Sequence, residues 1–317
     1  MNATPLEAIV TSTTPAKPVA ALLRNLIDYA GLFPPASLAM ASAVTNYDAY
    51  LRSPYAWMLG RFIVPVARLD EFDTALRGLA DSGARKESQW SLSALMGADV
   101  AEDVERVQEF NARTVSGQQD PQRDRKIVSV EAKVGNATDI AQLSAVIPSE
   151  LETYFEVPLP NASECISAIA AAGCRAKIRT GGETADKFPS PEIVVEFIRL
   201  CAAANLPLKA TAGLHHPLRS VHRLTCQPDS PSGIMHGFLN LFLAAAFIRA
   251  GLEAQQAVEL LREESADTFQ FNSEGVDWRG HKLGVSDLIL ARREFAISFG
   301  SCSFTEPIDD LKSLHLL

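Results

Sequence analysis

Residues 174–182, CRAKIRTGG, and their echo at 208–213, LKATAG, limit the folds open to this chain more than any other feature. In each, a short apolar run of strand character carries a lysine, then a small hydroxyl residue, then glycine. Lys177 and Lys209 lie 32 residues apart, and 190–205 between them reads as one helix, opened by Ser190-Pro191 with proline at the first helical position. Strand, helix, strand with a lysine at a comparable depth on each predicts two neighbouring parallel strands whose amines point into one small volume. Burying one lysine is costly, and burying two without a purpose is hard to justify. A cationic neighbour also lowers a lysine's pKa, which is how an amine becomes a nucleophile at neutral pH.

The same rhythm runs through most of the chain. Strands are predicted at 26–33, closed by Pro34-Pro35, and at 60–66, 90–96, 127–134, 153–158, the Lys177 stretch, 206–212 and 295–303. Helices fall between them: one ending near Leu51, one N-capped by Asp70 and ended by Gly83, and one over 99–110. Another is opened by an Asn161–Glu164 capping box and ended by Gly173. The polar run 111–126 reads as a surface excursion. After strand seven the pattern changes: a loop over 214–236 carries His215, His216, His222, Cys226 and His236. A buried-looking helix ending near Gly251, a helix to about Glu264 and a hairpin through Trp278 follow. Eight strands alternating with helices predict an α/β fold, a (β/α)₈ TIM barrel with an insertion between strands seven and eight. The 317 residues fit a single TIM-barrel domain, with 1–20 as an N-terminal arm, 214–290 as an insertion or lid region, and 214–236 as a mobile lid over the strand-seven mouth.

In strand 127–134, Val128, Val130, Ala132 and Val134 share one face and Ser129, Glu131 and Lys133 the other. A parallel barrel packs its outer face on helices, so the polar face is expected inside. Applied to every strand, that rule gathers Asp28, Arg61, Glu131, Lys133, Glu156, Lys177, Arg179, Lys209 and Thr211 inward, where apolar side chains are usual. Salt-bridged charges at a barrel mouth serve structure as well as chemistry. A formal net charge of −9 without a basic cluster speaks against nucleic acid. The longest apolar run, 238–248, is too short to span a bilayer, and the start lacks a basic region followed by an apolar core. Five scattered cysteines without a C-x-x-C pair fit reduced thiols in the cytoplasm.

Five short stretches, in order, resemble the deoxyribose-phosphate aldolase superfamily of class I aldolases. LIDYAGLFPPAS at 26–37 is similar to that family's opening strand, and YFEVPL at 154–159 to its fifth strand with a glutamate. Lys177-x-x-Thr180-Gly181 resembles the strand whose lysine forms the Schiff base. Lys209-Ala-Thr-x-Gly213 resembles the next strand, whose lysine tunes the first. Phe299-Gly300-Ser301-Cys302-Ser303 resembles the closing turn that holds a phosphate. The resemblance implies a TIM barrel and a lyase of aldolase type. It departs in two places. The family's proton-transferring aspartate on strand four falls at Ser129, with Glu131 and Lys133 nearby. Ninety-two residues separate Lys209 from Ser301, far more than one βα unit needs.

On this reading Lys177 attacks a carbonyl and Lys209 keeps it partly neutral. Glu131, or Glu156 with Asp28, shuttles protons. Backbone N–H groups of Thr180, Gly181, Gly213, Gly300 and Ser301 are expected to receive an anionic group, with Arg179 as a clamp. Arg61, Lys133, Thr211, His215, His216 and His236 complete the expected binding set. The substrate is a small carbonyl compound, with or without phosphate or carboxylate; no cofactor, metal, nucleic acid or membrane is expected, and a homo-oligomer is left open. A metal-dependent hydrolase or lyase using His215, His216, His222 and His236 with Glu156 is one rival, although no H-x-H or H-E-x-x-H motif occurs. A non-catalytic barrel that binds a small anion is the other.

Overall fold

The computed structural model of the protein describes residues 15–81, 89–113, 125–225 and 229–317. Gly83, Cys226, residues 114–124 of the polar excursion and the first fourteen residues of the expected arm lie outside them. Eight parallel strands close into a barrel. They are β1 (Ile27–Tyr29), β2 (Leu59–Pro65), β3 (Trp90–Leu95), β4 (Arg125–Lys133), β5 (Glu152–Glu156), β6 (Arg175–Arg179), β7 (Leu208–Thr211) and, after five short strands outside the barrel, β13 (Ala296–Ser301). Each pairs with its sequence neighbour in the barrel, and β13 closes the ring between β7 and β1. The (β/α)₈ barrel expected from the sequence is therefore present.

Helices α1 (Lys17–Leu23), α2 (Met40–Leu51), α3 (Leu69–Asp81), α4 (Val100–Ala112), α5 (Ala137–Val146), α6 (Ala162–Ala171) and α7 (Pro191–Ala203) precede or follow these strands. Local signals explain several ends. Asp99 accepts a hydrogen bond from the Glu102 amide and starts α4, and Asn136 accepts from Thr138 and Asp139 and starts α5. Gly173 adopts a φ of 66° just beyond α6, where a residue with Cβ is disfavoured. Two expected caps are corrected. Asp70 lies inside α3, which begins at Leu69, and Asn161 makes no side-chain capping bond because a 3₁₀ turn, Leu159–Asn161, runs straight into α6.

The segment between β7 and β13 is more ordinary than an insertion of 214–290 implies. It opens with an antiparallel hairpin, β8 (Ser220–Arg223) and β9 (Ser232–Met235). Next comes α8 (Phe238–Arg249), buried along eleven consecutive residues because α7, α9 (Ala254–Leu261) and α10 (Val285–Glu294) all pack against it. It is the crossover helix that β7 requires. The additions are the hairpin, α9 and a three-stranded antiparallel sheet of β10 (Phe269–Phe271), β11 (Gly275–Trp278) and β12 (His281–Gly284), which leads into α10. α11 (Thr305–Ser313) follows β13.

The barrel reverses the usual distribution. Its outer face packs aromatic and branched side chains on the helices, including Tyr47, Phe62, Phe72 and Trp90, whose rings meet at 4.7–6.1 Å. Its interior holds ionised side chains. β4 also corrects the expected alternation: its register against β3 slips between Ile127 and Ser129, a bulge that turns Val128 toward the cavity below the barrel. Ser129 and Glu131 still face inward, and Lys133 reaches the rim.

β4 begins two residues earlier than its apolar pattern suggests, at a buried Arg125. The guanidinium meets both oxygens of the buried Asp73 at 2.6 and 2.7 Å and stacks 3.6 Å above the Phe110 ring. Removing one partner of such a pair leaves an uncompensated buried charge. Asp73→Ala is expected to lower stability by about 3–5 kcal/mol, while the exposed Asp70→Ala stays within about 0.5 kcal/mol. Urea unfolding midpoints of the two variants check this.

Candidate functional site

Glu131 is the centre of the interior. Its Oε1 accepts from Lys209 Nζ at 2.6 Å and from Ser93 Oγ at 2.8 Å, while its Oε2 lies 2.8 Å from Lys177 Nζ. Both lysines therefore reach one carboxylate, within the roughly 10 Å that two strand spacings allow. Ser129, at the strand-four position discussed above, touches this group only through Ser93. Asp28 holds Lys209 from the other side: its Oδ2 accepts from Lys209 Nζ at 2.7 Å and from Ser298 Oγ at 2.8 Å, and its Oδ1 accepts from the Arg61 amide.

The two lysines are not equivalent. A cavity of about 480 Å³ opens at the C-terminal ends of the strands, and Lys177, Glu131 and Glu156 line its floor. Lys209 does not line it. The register explains why. Lys133, Glu156, Lys177 and Lys209 are successive partners across β4, β5, β6 and β7. Strands of a TIM barrel tilt by about 36°, so a step to the next strand moves about 3 Å along the axis. Exposure of the side chain falls in step: Lys133 is exposed, Glu156 is 10% accessible, Lys177 5% and Lys209 1%. Lys209 is the deepest member of a descending row.

Electrostatics follow from that depth. Burial works against the charge on Lys209, yet Asp28 and Glu131 raise its ammonium above the ordinary lysine value. Burial likewise opposes ionisation of Glu131, but Lys177 and Lys209 hold its carboxyl well below the usual range. At Glu156, burial is outweighed by Lys177 and Arg179, and the carboxyl again falls. Glu156 Oε1 accepts from Arg179 Nε at 2.9 Å. Its Oε2 lies 2.9 Å from Lys177 Nζ but, buried, has no hydrogen-bond partner. The contact is close in distance and poorly aligned, which separates Lys177 from the well-bonded Lys209.

Of the other expected site residues, Lys133, Arg179, Gly181, Thr211, Gly213 and Gly300 line the cavity, and His215 forms part of its wall. The remainder do not, and their positions are corrections. Asp28 and Lys209 lie beneath the floor. Arg61 lies toward the N-terminal end, paired with Glu152 at 2.6 Å. Thr180 is buried and its Oγ1 donates to the Ala212 carbonyl; Ser301 is buried and its Oγ accepts from the Ser303 amide. His236 is buried against the Pro189 carbonyl, and His216 pairs with Asp310 at 2.6 Å in an adjoining cavity. The expected lid segment contributes Leu224 and Met235 to the cavity wall.

The sequence reading missed Cys302, Lys187 and Ser93. Cys302 sits inside the closing turn already noticed, and Ser93 shares the inward phase of β3, so both carried a signal. His222 stacks on the His216 ring and meets Ser220 Oγ at 2.5 Å. Among the described residues, no group of three His, Cys, Asp or Glu side chains converges to hold a metal. A larger cavity of about 920 Å³ lies at the N-terminal end. Its most buried cation, Arg292, is spent on the carbonyls of Leu22, Arg24, Ala296 and Ile297. Barrel chemistry gathers at the C-terminal ends, which favours the smaller cavity. No protein-family model and no curated protein matches the chain. No helix among the described residues is long and apolar enough to cross a membrane.

The lowered carboxyls link stability to pH. Because Glu131 and Glu156 are less readily protonated folded than unfolded, the unfolded chain binds more protons in acid. Their contribution is present above the unfolded value of about 4.3 and is lost as pH falls through the lower folded values. Urea titrations at a series of pH values are expected to show stability dropping below about pH 4. In Glu131→Gln stability is lower at neutral pH, where two ammoniums lose their shared carboxylate, and the acid dependence is shallower.

Proposed function

We propose that this chain is a class I lyase of aldolase type, forming a Schiff base between Lys177 and a small carbonyl compound, and that it belongs with the deoxyribose-phosphate aldolase superfamily it resembles. The observation that carries the reading is the position of Lys177: of two neighbouring lysines joined to one carboxylate, it alone borders the cavity at the strand ends. A nucleophile must be reachable by substrate, and its partner need not be.

An ammonium does not attack a carbonyl, so Lys177 has to lose a proton. The local charges suggest where that proton goes. Asp28, Glu131 and Glu156 supply three negative charges, and Lys209, Lys177 and Arg179 supply three positive ones. Loss of a proton to solvent would leave this group at −1 in a site of low polarisability. Transfer from Lys177 Nζ to Glu156 Oε2, 2.9 Å away and otherwise without a hydrogen-bond partner, keeps the group neutral. Lys209 stays charged, and its field favours a neutral amine on Lys177. The amine then adds to the carbonyl carbon, and one N–H proton passes to the oxygen to give the carbinolamine. Glu156 returns its proton to the carbinolamine hydroxyl, which leaves as water, and the iminium inherits the positive charge beside Glu131. In a substrate with a hydroxyl β to the iminium, that hydroxyl gives its proton to the Glu156 carboxylate, directly or through water. The β carbon leaves as an aldehyde, and the electron pair of the broken carbon–carbon bond forms the enamine. At the rim, Lys133, Arg179 and Lys187 give the cavity cationic side chains suited to an anionic substituent on the substrate.

The ion contacts of Lys177 with both Glu131 and Glu156 favour a second reading, a barrel that binds a small anion without reaction. Borohydride reduction with a panel of small aldehydes and keto acids separates the two. The expected result is a mass increase on Lys177, lost in Lys177→Ala and reduced in Lys209→Met by about tenfold or more in rate, the loss expected when the neighbouring charge no longer favours the neutral amine. No labelling with any carbonyl, alongside binding of phosphate or a dicarboxylate, would establish the second reading. Labelling that survives Lys177→Ala and disappears in Lys209→Ala would reverse the roles.

A further inference from the structure

Cleaving a carbon–carbon bond through an iminium moves protons at three places, the carbinolamine oxygen, the hydroxyl of the departing fragment and the enamine carbon, and Glu156 serves the first two. It approaches the amine end of Lys177 from β5. The enamine carbon faces the body of the cavity and must gain a proton before product leaves. Glu131 is poorly placed to supply it, since its Oε1 is held by the Lys209 ammonium and its Oε2 faces the nitrogen of Lys177 rather than the substrate carbon. Lys133, Glu183 and Lys187 are exposed at the rim. The sheltered titratable group that remains is His215, on the loop following β7, with Cys302 beside it.

The geometry of His215 suits the task. Its Nδ1 lies 3.3 Å from Glu306 Oε2 and 3.9 Å from Cys302 Sγ. Both partners lie beyond the end of β13, so the ring is held from one side by the start of α11. With Nδ1 committed to this pair, Nε2 is the nitrogen left for proton exchange. His216 is the other titratable neighbour, its ring 6.4 Å from that of His215 and itself paired with Asp310. Burial opposes a charge on His215, but Cys302 and Glu306 more than offset it and push the ring up to about 9, so the imidazolium is the resting form at neutral pH.

We propose that His215 is the catalytic acid of this cavity, giving its Nε2 proton to the enamine carbon of a Lys177-bound intermediate. The step balances within the site. The Nε2–H bond breaks, the enamine electron pair forms the new C–H bond, and the C=N⁺ bond to Lys177 is restored. The ring is left neutral; one water hydrolyses the iminium to the carbonyl product and the free amine, and the proton this releases restores the imidazolium. In the reverse direction neutral His215 removes the proton α to the iminium.

The inference rests on the Schiff-base reading, and the experiment keeps the two apart. Exchange of propanal α-protons in D₂O above the rates without protein and with imidazole alone reports the iminium and enamine on the protein, so proton NMR follows the step while borohydride labelling follows the Schiff base. With His215→Gln and His215→Ala, the expected result is labelling of Lys177 as in the unaltered protein and exchange slowed by about 100-fold or more, the usual share of a general acid. Added imidazole should restore part of the exchange in His215→Ala. Unchanged exchange with labelling intact overturns the proposal. So does loss of labelling in both variants, which makes His215 structural, or slow exchange that imidazole does not rescue, which makes it a positioning residue. A starting protein that takes no label from propanal or any other carbonyl removes the Schiff-base reading, and the proposal with it.

Discussion

A carboxylate held between two buried ammoniums, Glu131 with Lys177 and Lys209, is the contact on which the rest of this barrel depends. Without it, two cations would sit unpaired in a low-dielectric interior. That arrangement costs several kcal/mol at an effective dielectric near 20. With it, the inner faces of β1, β4, β5, β6 and β7 carry ionised groups where a barrel of this kind normally packs aliphatic layers. The hydrophobic driving force is correspondingly displaced outward. The aromatic side chains around Phe62 and Trp90, and α8, buried from Phe238 to Ile248, supply the apolar packing that the interior forgoes.

Much of this was legible because strands of period two separate an inward from an outward face. Glu131, Glu156, Lys177 and Lys209 were placed inside by that rule, and the structure brings all four together. Depth was not legible. Lys177 and Lys209 are direct register partners, and their flanking sequences match, so a reading along the chain gives them equal rank. Only closure of the sheet, with its tilt, turns equal register into unequal height and sends one amine to the cavity floor and the other beneath it. The same blindness affected Asp28 and Arg61, which share the inward phase of the site residues but lie nearer the other end of the barrel.

Outside the strands, sequence signals failed for a different reason. His216 and His236 stand beside His215 and beside the cavity wall in the chain, yet loop backbone carries no fixed period to say which way a ring points. His236 is drawn to a backbone carbonyl that follows β6 by several residues, and His216 to a carboxylate on α11. Neither partner is near in sequence. The β4 bulge is similar: one extra residue at Val128 changes the phase at the start of the strand without leaving a glycine or proline to mark it.

The glycines of the repeated motif show how packing and chemistry are superimposed in this chain. A Cβ on Gly181 would lie 2.8 Å from Gly213 Cα, and one on Gly213 would lie 2.8 Å from Gly181 Cα; either would also press on the Phe188 ring. Gly213 adopts a φ of 70° as well, following Ala212 at 62°. The two loops that leave β6 and β7 thus cross in backbone contact, tied by the Thr180 hydroxyl to the Ala212 carbonyl. Glycine therefore recurs after both lysines for a steric reason that holds whatever the cavity binds. The lysines do not share that reason. A tight crossing of loops requires no charge beneath it, and apolar residues in place of Lys177, Glu131 and Glu156 together would fill the floor at less electrostatic cost. The amine at the cavity floor is the part of the repeat that packing leaves unexplained.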